Sequence, residues 1–210
     1  MMKYVVLLML FCLVFKAQSA PLSYLPQTGD LVFQSLPHNE VIDAIEGASG
    51  SPYSHCGIVV DVDGDWKVLE AVGPVKETPL AEWIAQGRER KLAVHRLKPK
   101  FRRHIPKMIE GARRFLGKPY DIQYELDDAK IYCSELIYKG WLYATNEPLG
   151  KLVKLGDLRW QPHESIIRRI AGGLPLDRPM ITPRDLAAAP ELTPIMAFAA
   201  HRLLKQSKKR

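Results

Sequence analysis

The densest β-strand signal in the chain is SHCGIVVDVDGDWKVLEAV, residues 54–72. It holds two apolar runs, 55–62 and 66–71, joined by the turn sequence Asp63-Gly64-Asp65. An Asp-Gly turn between two such runs is typical of a β-hairpin. The stretch therefore predicts two neighbouring antiparallel strands of a sheet.

Further strand and helix signals lie on both sides of this hairpin. Residues 31–33 and 92–97 predict two more strands. Apolar residues spaced by three and four predict amphipathic helices over 105–116 and 133–143, and Gly117 and Pro119 end the first of them. The combination predicts an α+β fold in which an antiparallel sheet packs against helices.

The remaining segments carry weaker signals. Residues 41–45 predict the start of a short helix, followed by a turn over 47–52. Residues 146–190 are rich in Pro, Gly and charge, and predict loops with one short helix that Thr182 caps and Pro183 begins. We expect a last helix over 191–205.

The N-terminus has the pattern of an export signal. Lys3 precedes a run of 12 apolar residues, Tyr4 to Phe15, and small residues follow at Ala17 and Ser19. Such a run spans about 18 Å as a helix, against about 30 Å of bilayer hydrocarbon. We expect residues 1–19 to be a cleaved signal peptide and the protein to be periplasmic or secreted, although a retained N-terminal helix is the alternative.

Composition and charge fit one globular domain after the signal peptide, over residues 20–200. The chain has 210 residues, 47% apolar and 25% charged, and a formal charge of +7. Residues 20–201 hold 23 basic and 23 acidic side chains, so the excess lies in the signal peptide and in a basic tail, 201–210. The neutral domain gives no argument for nucleic-acid binding. The tail is a solvated terminus or a weak contact for an anionic membrane surface.

Two residues could form a nucleophilic site. Cys133 begins a predicted helix, where free N–H groups and the helix dipole favour a thiolate, and His55 begins the hairpin, where an imidazole could take the proton. Glu70, on the paired strand, could orient His55 or form an ordinary salt bridge at the sheet edge.

Cys56 has a different predicted place, because successive strand residues point to opposite faces. It is therefore not easily the partner of His55, and we expect a buried apolar role or a disulfide to Cys133. There is no CxxC, no HExxH and no Cys/His cluster at metal-ligand spacing, so we expect no metal and no other cofactor.

Four short motifs resemble those of NlpC-type papain-fold cell-wall hydrolases: GDLVF at 29–33, SHCGIVV at 54–60, GKPYD at 117–121 and YCSELIY at 132–138. In those enzymes the cysteine motif comes first, whereas here the histidine precedes the cysteine. This order is similar to the circularly permuted YaeF/YiiX-like amidase family, over about residues 28–190. The resemblance implies a permuted papain-like fold.

The resemblance also implies roles for individual residues. Cys133 takes the place of the nucleophile, His55 of the general base and Glu70 of the third polar residue. Tyr120 takes the place of a tyrosine that lines the site, and Ser134 is a candidate substrate-binding residue. This sequence has Ser134-Glu135 where the family pattern has Ser-Gly after the cysteine. The backbone N–H of Cys133 would donate to an oxyanion.

Three functions follow as hypotheses. The first is an exported cysteine hydrolase of amidase or peptidase type, which forms an acyl-enzyme on a small peptide substrate of the cell envelope, such as a wall stem peptide. The second is an acyl hydrolase or acyltransferase on lipid or acylated substrates, since permuted relatives of this fold include lipid-acting enzymes. The third is an inactive binding module with a Cys56–Cys133 disulfide.

Overall fold

A computed structural model describes residues 23–200 and 202–203 of the chain, and the side chains of 24–197. The strands are β1 (Ser23–Tyr24), β2 (Leu31–Gln34), β3 (His55–Val62), β4 (Asp65–Ala71), β5 (Val75–Pro79), β6 (Lys91–Leu97), β7 (Val153–Lys154), β8 (Pro179–Met180), β9 (Leu192–Ala200) and β10 (Arg202–Leu203). The helices are α1 (Glu40–Ser49), α2 (Leu80–Gln86), α3 (Ile105–Arg113), α4 (Cys133–Thr145), α5 (Glu164–Ala171) and α6 (Pro183–Ala187).

The main sheet has six antiparallel strands in the order β5-β4-β3-β2-β6-β9. The predicted hairpin is present: β3 and β4 pair from Gly57 opposite Glu70 to Val62 opposite Asp65. The strands expected over 31–33 and 92–97 are present as β2 and β6. The α+β prediction is therefore confirmed.

Helices cover both faces of the sheet, which separates two apolar cores. Cys56, Ile58 and Val60 of β3 lie in the core shared with α3 and α4. Val59, on the opposite face, lies in the core shared with α2, where Trp83 is fully buried. At the start of β3, consecutive residues therefore belong to different faces of the sheet.

Helices α3 and α4 pack closely because both carry glycine at the contact. A Cβ added at Gly140 would lie 2.7 Å from the carbonyl oxygen of Met108 and 3.1 Å from the Cβ of Ala112. Gly111 likewise faces the ring of Tyr143. The close approach fixes α4, and with it Cys133, against the sheet.

The helix expected over 191–205 is wrong, because residues 192–200 form the edge strand β9, antiparallel to β6. Without β9, one edge of β6 would leave its backbone hydrogen-bonding groups unpaired. Pro194 is tolerated because β9 is an edge strand, where a missing N–H can face away from the sheet. The prediction failed because pairing between distant segments outweighs local helix propensity.

Two other segments differ from the prediction in part. Helix α1 continues through residues 47–49, which were expected to be a turn, and ends at Gly50 in the left-handed conformation (φ 62°). Gly47 allows the ring of His163 to lie directly against this helix. Helix α5 lies within the segment expected to be loops, whereas α6, capped by Thr182, is confirmed.

The ends of the chain carry predictions that the structure describes only in part. The predicted signal peptide lies outside the described residues, as does most of the basic tail; the backbone of β10 pairs in parallel with β1. Within residues 23–200, no helix has the length and apolar character needed to cross a bilayer.

We expect Gly140→Ala to destabilise the protein by about 2 kcal/mol, because the added methyl group must push α3 and α4 apart. Urea unfolding of the purified protein measures the change. Gly173→Ala is the matched control, since a Cβ there meets no atom within 4 Å, and it should change the free energy of unfolding by less than about 0.5 kcal/mol. Equal effects of the two substitutions would contradict the close-packing argument.

Candidate active site

Cys133 is the first residue of α4, the position predicted for a nucleophile. Tyr132, which precedes it, is extended (φ −98°, ψ 166°), and its N–H donates to the Glu135 carboxylate at 3.2 Å. The Tyr132 hydroxyl accepts from the N–H of Ile181 at 3.1 Å. Because the first N–H groups of a helix have no partner within it, the N–H of Cys133 can donate to a substrate oxygen.

His55 and Glu70 form a buried pair across the hairpin. His55 Nε2 lies 2.5 Å from Glu70 Oε2, and the two side chains are 2% and 0% exposed. The ring of Trp83 packs on the imidazole, with centroids 5.9 Å apart. Since Nε2 is taken by Glu70, Nδ1 is the ring nitrogen left for Cys133.

Further donors hold the Glu70 carboxylate. Thr78 Oγ1 of β5 donates to Oε1 at 2.5 Å, and Gln86 Nε2, at the end of α2, donates to Oε2 at 3.3 Å. Burial raises the pKa of Glu70, but the hydrogen bond and charge of His55 outweigh it, so the pKa lies below its ordinary value. Glu70 is therefore a carboxylate, which favours a protonated imidazole.

Gly57 makes room for this arrangement, because it shares a strand face with His55 and lies opposite Glu70. A Cβ at Gly57 would overlap the side chain of Val68 and come within 3.0 Å of the carbonyl oxygen of Leu69. Any side chain at this position would therefore spread the hairpin at the point where His55 meets Glu70.

Three groups stabilise the Cys133 sulfur as a thiolate. The Cys56 thiol contributes most, followed by the His55 imidazole and the Cys56 backbone N–H. Together they outweigh burial and hold the pKa of Cys133 well below its ordinary value. Both cysteines are free thiols in the structure. Cys133 therefore interacts with two consecutive residues of β3, His55 and Cys56, and the disulfide alternative for Cys56 is absent from the structure.

His55 carries the complementary charge. Burial lowers the pKa of the imidazole, but hydrogen bonds to Cys133 and Glu70 raise it to about 9. The two shifts together favour a thiolate on Cys133 and an imidazolium on His55.

Two tyrosines form a wall beside the pair. Tyr120 and Tyr124 meet through their hydroxyls at 3.3 Å, and the ring of Tyr124 packs on Tyr132 with centroids 5.1 Å apart. Tyr124 has a left-handed backbone (φ 57°), which Asp121 supports by accepting from the N–H groups of Gln123 and Glu125. Tyr120 and Tyr124 both line the cleft that touches His55, and the role of Tyr120 in substrate binding stays a prediction.

Ser134 follows Cys133 in α4, and its side chain is held by the backbone of a neighbouring loop. Its hydroxyl donates to the carbonyl oxygen of Ile181 at 2.7 Å, and the side chain is 1% exposed. It also lines a groove beside Cys133, so its role as a substrate-binding residue stays a prediction.

Two openings flank the pair. The Cys133 groove, with a cavity volume of about 110 Å³, touches Cys133 and is walled by apolar side chains of α1, α5 and nearby loops, including Ile45, Ala48, Leu158, Ile166, Ile170 and Ile181. The His55 cleft, of about 460 Å³, touches His55 and has more polar neighbours, including Asn39, Glu40 and Tyr120. Val41, Ile45, Ser54, Ile122 and Tyr124 border both openings.

Glu135 is an ionisable group two residues after Cys133. Burial raises its pKa to about 7, although the ion pair with Lys139, at 2.9 Å, opposes the shift. The carboxylate accepts from the backbone at the start of α4, so it fixes the first turn on which Cys133 lies.

Sequence reasoning did not identify Thr78, Gln86 or Trp83, since β5 and α2 carried no recognised signal. Their side chains reach the site only because β5 pairs with β4 and α2 covers that face of the sheet. A polar residue at alternate positions of a strand after the hairpin, as at Thr78, is the only signal that could have suggested one of them.

Comparison with known proteins agrees with this architecture. Residues 25–196 match the family model described as permuted papain-like amidase enzyme, YaeF/YiiX, C92 family. The uncharacterized protein YiiX of Escherichia coli strain K12 is 35% identical over 174 residues, which cover 81% of this chain and 86% of that protein. A crystal structure described as metalloprotein YiiX from Escherichia coli O157:H7 has a TM-score of 0.78 and 34% identity, and covers 84% of this chain and all of that one.

That crystal structure is described as one of a metalloprotein, which raises the question of whether side chains of this protein could bind a metal ion. Among the residues that the structure describes, no three His, Cys, Asp or Glu side chains converge in a way that could hold a metal ion.

The family match spans most of the chain and the fold is shared with YiiX. The chain therefore belongs to the YaeF/YiiX family of permuted papain-like amidases.

Proposed function

We propose that this protein is an exported cysteine amidase in which Cys133, His55 and Glu70 hydrolyse an amide through an acyl-enzyme. The observation that carries the proposal is the buried Cys133–His55–Glu70 chain at the start of α4, in which pKa values are displaced toward a thiolate and an imidazolium. Displaced pKa values of this kind are typical of catalytic groups. Membership of an amidase family supports the reaction class.

The first half-reaction would use charges that are already in place. The Cys133 thiolate attacks the carbonyl carbon, and the N–H of Cys133 donates to the oxygen that becomes negative. His55 then gives its proton to the leaving nitrogen as the C–N bond breaks. An amine leaves and a thioester remains on Cys133. His55 therefore acts here as an acid, because the thiol has already lost its proton.

The second half-reaction would restore the pair. Neutral His55 takes a proton from water, whose oxygen attacks the thioester carbonyl. The C–S bond breaks, the carboxylic acid leaves, and the thiolate faces an imidazolium again. Glu70 keeps the imidazole oriented throughout and stabilises its positive charge.

The two openings suggest how a bound substrate is oriented across the site. The leaving group receives its proton from His55, so it lies in the His55 cleft, whereas the acyl group bonded to Cys133 extends into the Cys133 groove. Wall stem peptides were the first candidate substrates. The aliphatic lining of the Cys133 groove instead favours the second candidate, an acylated substrate with an apolar acyl group. Binding in an apolar groove is favourable when apolar surface of the ligand is removed from water.

Export, a cell-envelope location and a weak contact of the basic tail with anionic membrane are parts of this proposal. They rest on the sequence pattern of residues 1–20 and 201–210 alone. Deleting residues 205–210 and measuring binding to vesicles with an anionic lipid tests the tail, which is a solvated terminus if binding does not change.

Iodoacetamide labelling of Cys133 should proceed well below pH 8, because the labelled species is the thiolate and its pKa is lowered. His55→Ala should move the midpoint of labelling upward, and hydrolysis by the unmodified protein should decline above pH 9, where His55 loses its proton. Mass spectrometry locates the label. An ordinary thiol profile that is unchanged in His55→Ala would remove the basis of the proposal.

Glu70→Gln should lower kcat by about 100-fold and bring the alkaline decline of activity below pH 9, since the neutral amide no longer stabilises the imidazolium. The pH dependence of kcat measures both effects. Glu77→Gln on neighbouring β5 is the control, because Glu77 pairs with Arg113 rather than with His55. Similar losses in the two variants would point to damage to the sheet.

The acyl-group assignment predicts that kcat/KM rises with chain length across a series of N-acyl amides, by about fourfold for each methylene buried in the groove. Ala48→Phe, which places a ring in the groove, should shift the preference to shorter chains. Ala85 on α2 is exposed and lies outside the groove, so Ala85→Phe should leave the chain-length preference unchanged. Faster Cys133-dependent cleavage of muropeptides than of any acylated amide would favour the wall-peptide reading.

A further inference from the structure

Cys56 is the second sulfur at the active site. It follows His55 in β3, is fully buried, and points to the face of the sheet that α4 covers. Cys133 lies in the same buried core cluster, and its Sγ is 4.0 Å from the carbonyl oxygen of Ser54, two residues before Cys56. The Cys56 thiol and backbone N–H both lower the pKa of Cys133. Consecutive residues of one strand therefore reach Cys133 from two sides, His55 with its imidazole and Cys56 with its thiol.

The surroundings decide which of the two sulfurs carries the charge. Cys133 lies beside the His55 imidazolium and at the N-terminus of a 13-residue helix, and both favour an anion. Cys56 lies among Phe33, Ile58 and other apolar side chains, and burial raises the pKa of its thiol well above the ordinary value. Cys56 therefore keeps its proton, and its S–H faces an anionic sulfur.

We propose that Cys56 is a positioning residue of the active site, whose S–H donates to the Cys133 thiolate and fixes that sulfur at the first turn of α4. The proposal rests on the proposed function, since it takes Cys133 as the nucleophile. A hydrogen bond to a buried charged group is stronger than one between neutral groups, so even a weak S–H donor matters at this point.

The simplest other role of Cys56 is to fill space in the core between β3 and α4. Two substitutions of nearly equal size separate the roles. Cys56→Ser keeps a donor and Cys56→Ala removes it, while both leave a similar cavity. A role in packing alone would make the two variants behave alike, whereas a role as donor would make them differ.

The experiment measures the rate of iodoacetamide labelling at Cys133 against pH in the unmodified protein and in both variants. Cys56→Ala should raise the midpoint by about one to two pH units, and Cys56→Ser should restore most of the difference. With an amide substrate, Cys56→Ala should lower kcat more than it changes KM, because the acyl group is bound elsewhere. Urea unfolding should show similar stability losses in the two variants.

Two results would overturn the proposal. One is a labelling midpoint that Cys56→Ala leaves unchanged, and the other is an equal shift of the midpoint in Cys56→Ala and Cys56→Ser. Either result leaves the proposed function standing if His55→Ala still moves the labelling midpoint of Cys133. Loss of His55 dependence in the unmodified protein would instead contradict the proposed function.

A thiol count on the native protein adds an independent check. The proposal requires two free thiols after residue 20, those of Cys56 and Cys133. A Cys56–Cys133 disulfide would leave no S–H to donate, and would overturn both the proposal and the catalytic reading in favour of an inactive binding module.

Discussion

The hydrogen bond between His55 and Glu70 is the interaction on which the candidate site depends. Both side chains are almost completely buried, and burying either charge alone would be costly. The buried Glu70 carboxylate is stabilised because Thr78 and Gln86 also donate hydrogen bonds to it. The His55 imidazolium is stabilised by Glu70 and by the Cys133 thiolate. Each charged group thus offsets part of the free-energy cost of burying its neighbour.

The sheet explains how these groups meet although they come from distant parts of the chain. Glu70 reaches His55 because β3 and β4 pair with Gly57 opposite Glu70. Cys133 reaches the same strand from the other side because α4 packs on the face that carries Cys56. A site at the end of a central strand, between two cores, can take one group from each face.

Much of this arrangement could be predicted from local sequence. The apolar runs around Asp63-Gly64 gave the hairpin, and strand alternation separated His55 from Cys56. The position of Cys133 before an apolar helical pattern gave the start of α4. These features depend on residues close together in the chain, where periodicity and turn chemistry are informative.

The rest depended on contacts between distant segments. The residues of β9 by themselves predict a helix, because the pairing of β9 with β6 depends on a distant segment of the chain. Thr78 and Gln86 were missed because only the sheet register and the position of α2 bring them to Glu70. The contact of Cys56 with Cys133 followed from helix packing, which alternation along one strand does not describe.

The central claim is that Cys133 and His55 form a thiolate–imidazolium pair at neutral pH. An NMR titration of the His55 ring nitrogens tests it most directly, with Cys133→Ala as the comparison. The account predicts that His55 stays protonated up to a pKa of about 9 and that its pKa falls clearly when the thiolate is removed. A His55 pKa near the ordinary value of about 6.5 in both proteins would contradict it.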